Sequence, residues 1–136
     1  MADDRFIERL PGESPGDGFA FDLEGRLYCA APMDHCIRIF DKGGKQLDVV
    51  ELGPTALPTN CCFGGADRRT LFTTELTPGR VCAIEGLPTP GLVLGRIAAG
   101  THRESDPDTQ ALNDSWFEMG RGLDDDVVRI RFAKGR

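Results

Sequence analysis

The feature that most constrains the fold is an internal repeat with an offset of about 42 to 44 residues. Segments 18–41 and 60–85 each contain two short apolar runs joined by a polar turn. A third apolar run follows in each segment and ends in a carboxylate, Asp41 or Glu85. Short apolar runs bounded by such turns are typical of β-strands. Because the repeat has the length of one four-stranded propeller blade, the sequence predicts two consecutive blades.

The remaining segments complete this organisation. A glycine-rich turn at 41–45 precedes the run 46–52, whose mixed pattern suits an outer, half-exposed strand. We expect residues 1–100 to form the two blades and residues 101–136 to form a divergent tail. That tail is expected to hold a polar loop over 101–115 and a strand over 127–132, where apolar residues alternate with arginines. Residues 5–10 could form another strand.

The net charge argues against a nucleic-acid partner. Sixteen Lys and Arg stand against 22 Asp and Glu, a formal net charge of -6 at pH 7, and such a field repels phosphate. No run approaches the roughly 18 consecutive apolar residues of a membrane-spanning helix. The first residues also lack the basic and apolar parts of a secretory signal. We therefore expect a cytoplasmic protein without a membrane partner.

The cysteines point to a reduced protein core. There are five, an odd number, and no pair has the Cys-x-x-Cys spacing, which argues against both a disulfide framework and a structural zinc site. Four of them lie in apolar runs, where a free cysteine behaves as a small hydrophobic residue. The five are Cys29, Cys36, Cys61, Cys62 and Cys82.

Several ordered motifs run through the repeat. They are PGDGFAFD at 15–22, LYCA at 27–30, IRIFD at 37–41, PTNCCFGG at 58–65 and TLFTTE at 70–75. In order and spacing they resemble the later blades of the gluconolactonase, senescence marker protein and luciferin-regenerating enzyme family. The resemblance covers about residues 12–96 and does not extend to the tail.

This resemblance implies a six-bladed propeller with one divalent metal in its central channel. The expected fold class is therefore all-β, a partial β-propeller with about two to three four-stranded blades of the six-bladed fold. The implied activity is hydrolysis of sugar lactones and related cyclic esters, and the implied metal is calcium, with zinc or manganese as alternatives. A chain of this length is expected to be too short to close the propeller by itself.

The family's metal ligands are a glutamate, an asparagine and the aspartate of a Pro-Asp-Gly motif, and only the aspartate has a counterpart here. That counterpart is Asp17, although this chain reads Pro-Gly-Asp-Gly and so has one extra glycine, Gly16. The resemblance thus implies that Asp17 is a metal ligand and a catalytic residue. An oxygen ligand at this position suits a hard cation. The alternative is that Asp17 is a turn residue beside Gly18.

Thr59 takes the position of Asp17 in the second repeat, and Asn60 follows it. Both are candidates for binding a substrate hydroxyl at the same channel. The alternative is that their side chains cap a turn.

Three hypotheses for function remain open. In the first, two or three copies of this chain associate and gather several Asp17 carboxylates on a metal, which gives a lactone or ester hydrolase. In the second, the chain is a non-catalytic, truncated propeller fragment that acts as a binding or interaction module. In the third, a separate chain complements it by supplying the missing blades.

Overall fold

The computed structural model describes residues 12–92 and 127–133, where the regular elements are strands apart from one short 3-10 helix. The predicted strand at 5–10 and the predicted loop at 101–115 lie outside the described residues. Within the described ranges, no helix has the length and apolar composition needed to cross a membrane. The elements are β1 (Phe19–Phe21), β2 (Leu27–Ala31), a 3-10 helix (Pro32–Asp34), β3 (Cys36–Phe40), β4 (Gln46–Glu51), β5 (Pro58–Gly64), β6 (Thr70–Glu75), β7 (Arg80–Glu85) and β8 (Val127–Arg131).

The strands form two four-stranded sheets, ordered β1-β2-β3-β4 and β5-β6-β7-β8. Consecutive strands from β1 to β4 and from β5 to β7 pair antiparallel. The predicted all-β class, with two four-stranded blades of a partial propeller, is confirmed. The strands β1 and β5 come first in each sheet.

The tail strand completes the second blade. The predicted strand near 127–132 is present as β8, and its neighbour in the sheet is β7. The N–H of Phe132 donates to the carbonyl of Glu85 at 2.8 Å, and the Arg129 guanidinium lies 2.5 Å from the Glu85 carboxylate. The fourth strand of this blade therefore comes from more than 40 residues further along the chain. The predicted division of the chain near residue 100 stays a prediction.

The core lies between the facing surfaces of the two blades. Residues directly opposite one another in an antiparallel pair share a face, so Tyr28 and Ile39 lie on one face of the first blade. In the same way, Leu71 and Ile84 share a face of the second blade, and all four are buried in one apolar cluster. The Tyr28 ring also meets the Phe63 ring edge to face, with centroids 5.0 Å apart.

A buried carboxylate anchors the turn between β1 and β2. Asp22 is 1% exposed and accepts four hydrogen bonds: from the N–H groups of Glu24 and Arg26, from Arg26 Nε at 2.6 Å, and from the Tyr28 hydroxyl. The Arg26 guanidinium also donates to the hydroxyl of Thr89. Burial and the adjacent Asp22 charge raise the pKa of Tyr28 well above its usual value, so the phenol stays protonated and donates. This network links the first turn to the segment that follows β7.

We predict that Asp22→Asn lowers the free energy of unfolding by about 2–3 kcal/mol, because an amide NH₂ would face N–H donors and the guanidinium would lose its counter-charge. The matched control is Asp67→Asn, the same change in an exposed turn. There the Asp67 carboxylate accepts the N–H of Arg69, and the amide oxygen of asparagine can still accept it. That control should change stability by less than about 0.5 kcal/mol. Urea denaturation followed by far-UV circular dichroism measures both, and equal losses in the two variants would contradict this role of Asp22.

The cysteines are all free, and four of the five are buried, as the sequence predicts. Burial raises the pKa of the thiols of Cys36 and Cys82 to about 11 and that of Cys61 to about 12. Cys62 is exposed on β5. The buried thiols therefore lack both access and thiolate at neutral pH.

We predict that a single thiol of the native protein reacts rapidly with a disulfide reagent at pH 8, and that all five react in denaturant. A thiol with a pKa of 11 has roughly 100- to 200-fold less thiolate at that pH than one with the usual value. Counting released thionitrobenzoate tests this, and Cys62→Ser should abolish the fast phase. Two or more fast thiols in the native wild type would contradict the burial.

Candidate metal and substrate site

The first strands of the two blades, β1 and β5, begin side by side. The N–H of Gly18, just before β1, donates to the carbonyl of Thr59 in β5 at 2.9 Å. On its other side Gly18 accepts the N–H of Ala30 at 2.9 Å, and the Ala30 carbonyl accepts the N–H of Asp17 at 2.9 Å. Asp17 and Gly18 are therefore fixed between β2 and β5. The three residues predicted from sequence, Asp17, Thr59 and Asn60, all lie within one residue of the Gly18–Thr59 hydrogen bond.

This close approach requires the glycine. A Cβ placed on Gly18 would lie 2.6 Å from the Cα of Asn60 and closer still to its side-chain amide. Because the nearest of these atoms include backbone, a larger residue could be accommodated only by separating the two strands. Gly18 thus lets the Asn60 side chain lie against the beginning of β1.

The backbone of Asp17 is held while its side chain is exposed. Its carboxylate lies near the buried thiol of Cys29. Burial raises the pKa of Cys29, the Asp17 N–H opposes this shift, and the Asp17 carboxylate adds to it. An exposed carboxylate on a fixed backbone is free to accept a ligand without moving the strand that carries it.

Thr59 and Asn60 already have partners among their neighbours. The Thr59 hydroxyl lies 2.9 Å from the Thr74 hydroxyl and 3.3 Å from the Thr74 carbonyl, across the pair of β5 with β6. The Asn60 side-chain oxygen accepts the N–H of Cys61 at 2.8 Å. These contacts are those expected if both side chains support the local backbone, and substrate binding by them stays a prediction.

Thr74 belongs to the site and was not predicted from sequence. It is exposed on β6 and adds a second hydroxyl beside that of Thr59. The signal was available in the TLFTTE motif, but assigning Thr74 to the site requires the strand register, in which Asn60 lies opposite Thr74.

The candidate residues offer oxygen donors: one carboxylate from Asp17, one amide from Asn60 and the hydroxyls of Thr59 and Thr74. Oxygen donors suit a hard cation such as calcium, which takes six to eight of them. Within residues 12–92 and 127–133, no three His, Cys, Asp or Glu side chains form a potential metal-binding group. The site therefore fits a divalent cation in the type of donor, but its one carboxylate needs ligands from elsewhere.

A separate cavity lies at the other end of β1. Its volume is about 160 Å³, and the residues that line it include Arg26 and Tyr28, near the Asp22 network. Its lining residues do not include Asp17, Thr59, Asn60 or Thr74. The cavity is not part of that site.

Comparisons with known proteins agree with the repeat and its motifs. A family model described as SMP-30/Gluconolactonase/LRE-like region matches residues 2–77, which is more than half of the chain. The chain is similar to regucalcin from Bos taurus, with 36% identity over 85 residues that make up 62% of this chain and 26% of that protein. It is also similar to regucalcin from Gallus gallus, with 37% identity over 68 residues, 49% of this chain and 22% of that protein.

A third relative, regucalcin from Xenopus laevis, is 39% identical over 64 residues, 46% of this chain and 21% of that protein. The chain spans about a quarter of the length of the curated relatives that it matches. The match includes both β1 and β5, the strands that carry the candidate site. The chain belongs to the SMP-30/gluconolactonase/LRE-like family and is lactonase-related at that level.

Proposed function

We propose that this chain contributes two blades and one metal ligand, Asp17, to a metal-dependent hydrolase that opens a sugar lactone or a similar cyclic ester. Further copies of the chain, or a complementing chain, supply the remaining ligands. The observation that carries the proposal is the position of Asp17, an exposed carboxylate on a backbone held at the junction of β1, β2 and β5.

The proposed reaction is an ordinary ester hydrolysis. Water adds to the lactone carbonyl carbon, the ring C–O bond breaks, and a hydroxy acid is released. A bound divalent cation would supply a Lewis acid for the carbonyl oxygen. Asp17 holds that cation, while Thr59 and Asn60 orient the hydroxyls of the sugar ring.

Two properties of the chain support this assignment of ligand and substrate. The formal net charge of -6 favours a cation over an anion as the bound ion. Hydroxyl and amide groups are carried by the strand pair that adjoins Gly18, on Thr59 with its partner Thr74 and on Asn60, and such groups bind neutral, hydroxyl-rich molecules.

A non-catalytic binding module is the second candidate. It is favoured by the single carboxylate at the site and by the lack of a three-residue metal-binding group in the described ranges. One carboxylate alone cannot satisfy a cation that takes six to eight oxygens. The two candidates differ in whether assembly and metal binding occur together.

We predict that the solution mass, measured by light scattering at micromolar concentration, rises from 14.8 kDa per chain to two or three times that value in millimolar calcium. Chelation should reverse the change, because ligands from several copies would share one cation. Sodium chloride at equal ionic strength controls for general charge screening. A calcium-indifferent monomer would favour the non-catalytic module or a need for a complementing chain.

We predict that Asp17→Asn weakens calcium binding by about tenfold or more in titration calorimetry, since a hard-cation site loses a charged ligand. Calcium-dependent hydrolysis of an aldonolactone, followed by acid release, should fall with it. Asp67→Asn, the same change in an exposed turn of the second blade, should alter neither. Unchanged calcium affinity in Asp17→Asn would remove Asp17 from the metal site.

A further inference from the structure

The segment that leads to Asp17 is tied to the turn between β2 and β3. The Asp34 carboxylate in that turn accepts the N–H of Glu13 at 3.0 Å through one oxygen and the N–H of Ser14 at 3.3 Å through the other. One side chain thus holds two successive backbone groups that lie about 20 residues earlier in the chain.

The Ser14 side chain in turn binds the backbone of the β2–β3 turn. Its hydroxyl oxygen accepts the N–H of Met33 at 3.0 Å, and the same hydroxyl donates to the Pro15 carbonyl at 2.8 Å. Ser14 is only 4% exposed, so these bonds are largely shielded from water. The two segments are therefore joined by reciprocal hydrogen bonds, which we call the Asp34 clamp: Asp34, Ser14 and the three N–H groups of Glu13, Ser14 and Met33.

Asp34 is itself held in place by β3 and by the segment between the two blades. Arg38 on β3 donates to the Asp34 carboxylate at 3.0 Å, and both side chains are largely buried, at 13% and 14% exposure. His35, which follows Asp34, has its Nδ1 2.7 Å from the carbonyl of Ala56, a buried residue between the blades. Asp34 is thus fixed both to its own sheet and to the segment that connects the two sheets.

The electrostatics agree with this role. Burial alone would raise the pKa of Asp34, but the N–H of Glu13, the Arg38 guanidinium and the N–H of Ser14 together hold it below the ordinary value. A carboxylate whose pKa is lowered on folding stabilises the fold above its unfolded pKa, and this stabilisation is lost as the pH falls through the folded pKa. The Asp34 clamp is therefore complete at neutral pH.

Between the clamp and the anchored Asp17 backbone lie only Pro15 and Gly16. Proline fixes its own φ, whereas glycine has a wide choice of backbone conformations. Without the clamp, Gly16 would allow the chain before Asp17 to take many paths. With Ser14 and the Asp17 N–H both held, the approach to the exposed carboxylate is restricted.

We propose that Asp34 is a positioning residue that fixes the orientation of the Asp17 carboxylate for cation binding. The inference rests on the proposed function, because it takes Asp17 to be the metal ligand. Asp34 itself does not touch the cation. It acts through the Glu13–Gly16 segment, as residues behind a metal ligand do when they orient it.

The first test needs no metal. In Asp34→Asn, the amide NH₂ would face N–H donors, so the clamp should open. The N–H of Asp17, bonded to the Ala30 carbonyl, should then exchange with deuterium about tenfold faster in NMR-detected exchange. The N–H of Leu76, bonded to Leu57 in the second blade, should exchange as in the wild type and so report on the rest of the fold.

The second test measures the site. Calcium affinity in Asp34→Asn should fall roughly tenfold, the size expected for a residue behind a metal ligand, and Asp67→Asn should leave it unchanged. Europium, a luminescent stand-in for calcium, should show a shorter excited-state lifetime in water because a displaced carboxylate is replaced by solvent. Ser14→Ala removes the other half of the clamp, so it should shift both readouts in the same direction even if Asp34→Asn fails to fold.

The outcomes separate this inference from the proposed function. If Asp34→Asn binds calcium as tightly as the wild type does, the positioning role is overturned and the metal site stands. Wild type that binds neither calcium nor europium in any assembly overturns the metal site and the positioning role together. Unchanged exchange at Asp17 in both variants overturns the clamp itself.

Discussion

The structure depends on the burial of one face of each blade against the other. A four-stranded sheet cannot remove its own surface from water, so each blade is stable only where a neighbour covers it. One buried apolar cluster, which includes Tyr28 and Ile39 of the first blade and Leu71 and Ile84 of the second, supplies this cover. Burying side chains of this size stabilises each by about 1.5–3 kcal/mol relative to exposure. The position of β1 beside β5, and with it the candidate site, follows from this packing.

Carboxylates accept hydrogen bonds from the polar groups within and around this core. Asp22 satisfies the turn at one end of β1, and Asp34 holds the segment that approaches the other end. Between the blades, the fully buried Glu75 side chain meets Arg80 at 2.7 Å, and Arg80 reaches the carbonyl of Leu52 in the connecting segment. A buried ion pair contributes little net stability, because desolvation offsets the attraction, but breaking it is costly. Replacing one partner of such a pair would therefore leave an unpaired buried charge.

The sequence was sufficient to predict the blades because each strand and turn is local. The offset of about 42 to 44 residues placed Gly18 and Asn60 in equivalent positions, and the structure brings them into contact. The pairing of β8 with β7 was not predictable, because no local pattern records which edge a strand separated by over 40 residues will meet. The Asp34 clamp was missed for a related reason. Its acceptor is a side chain, but its donors are backbone N–H groups, which every residue except proline carries.

In the proposed assembly, metal binding and association form one equilibrium. Asp17 carboxylates brought together from two or three copies repel one another by about 1 kcal/mol per pair at 4 Å even in water, and each chain adds its formal charge of -6. A cation that binds only the assembled site removes part of this repulsion and stabilises the assembly by mass action. Coupling is reciprocal, so a rigid Asp17 lowers the cost of both steps at once. The Asp34 clamp would then influence assembly through Asp17, because the carboxylate it orients is the group that the copies would share.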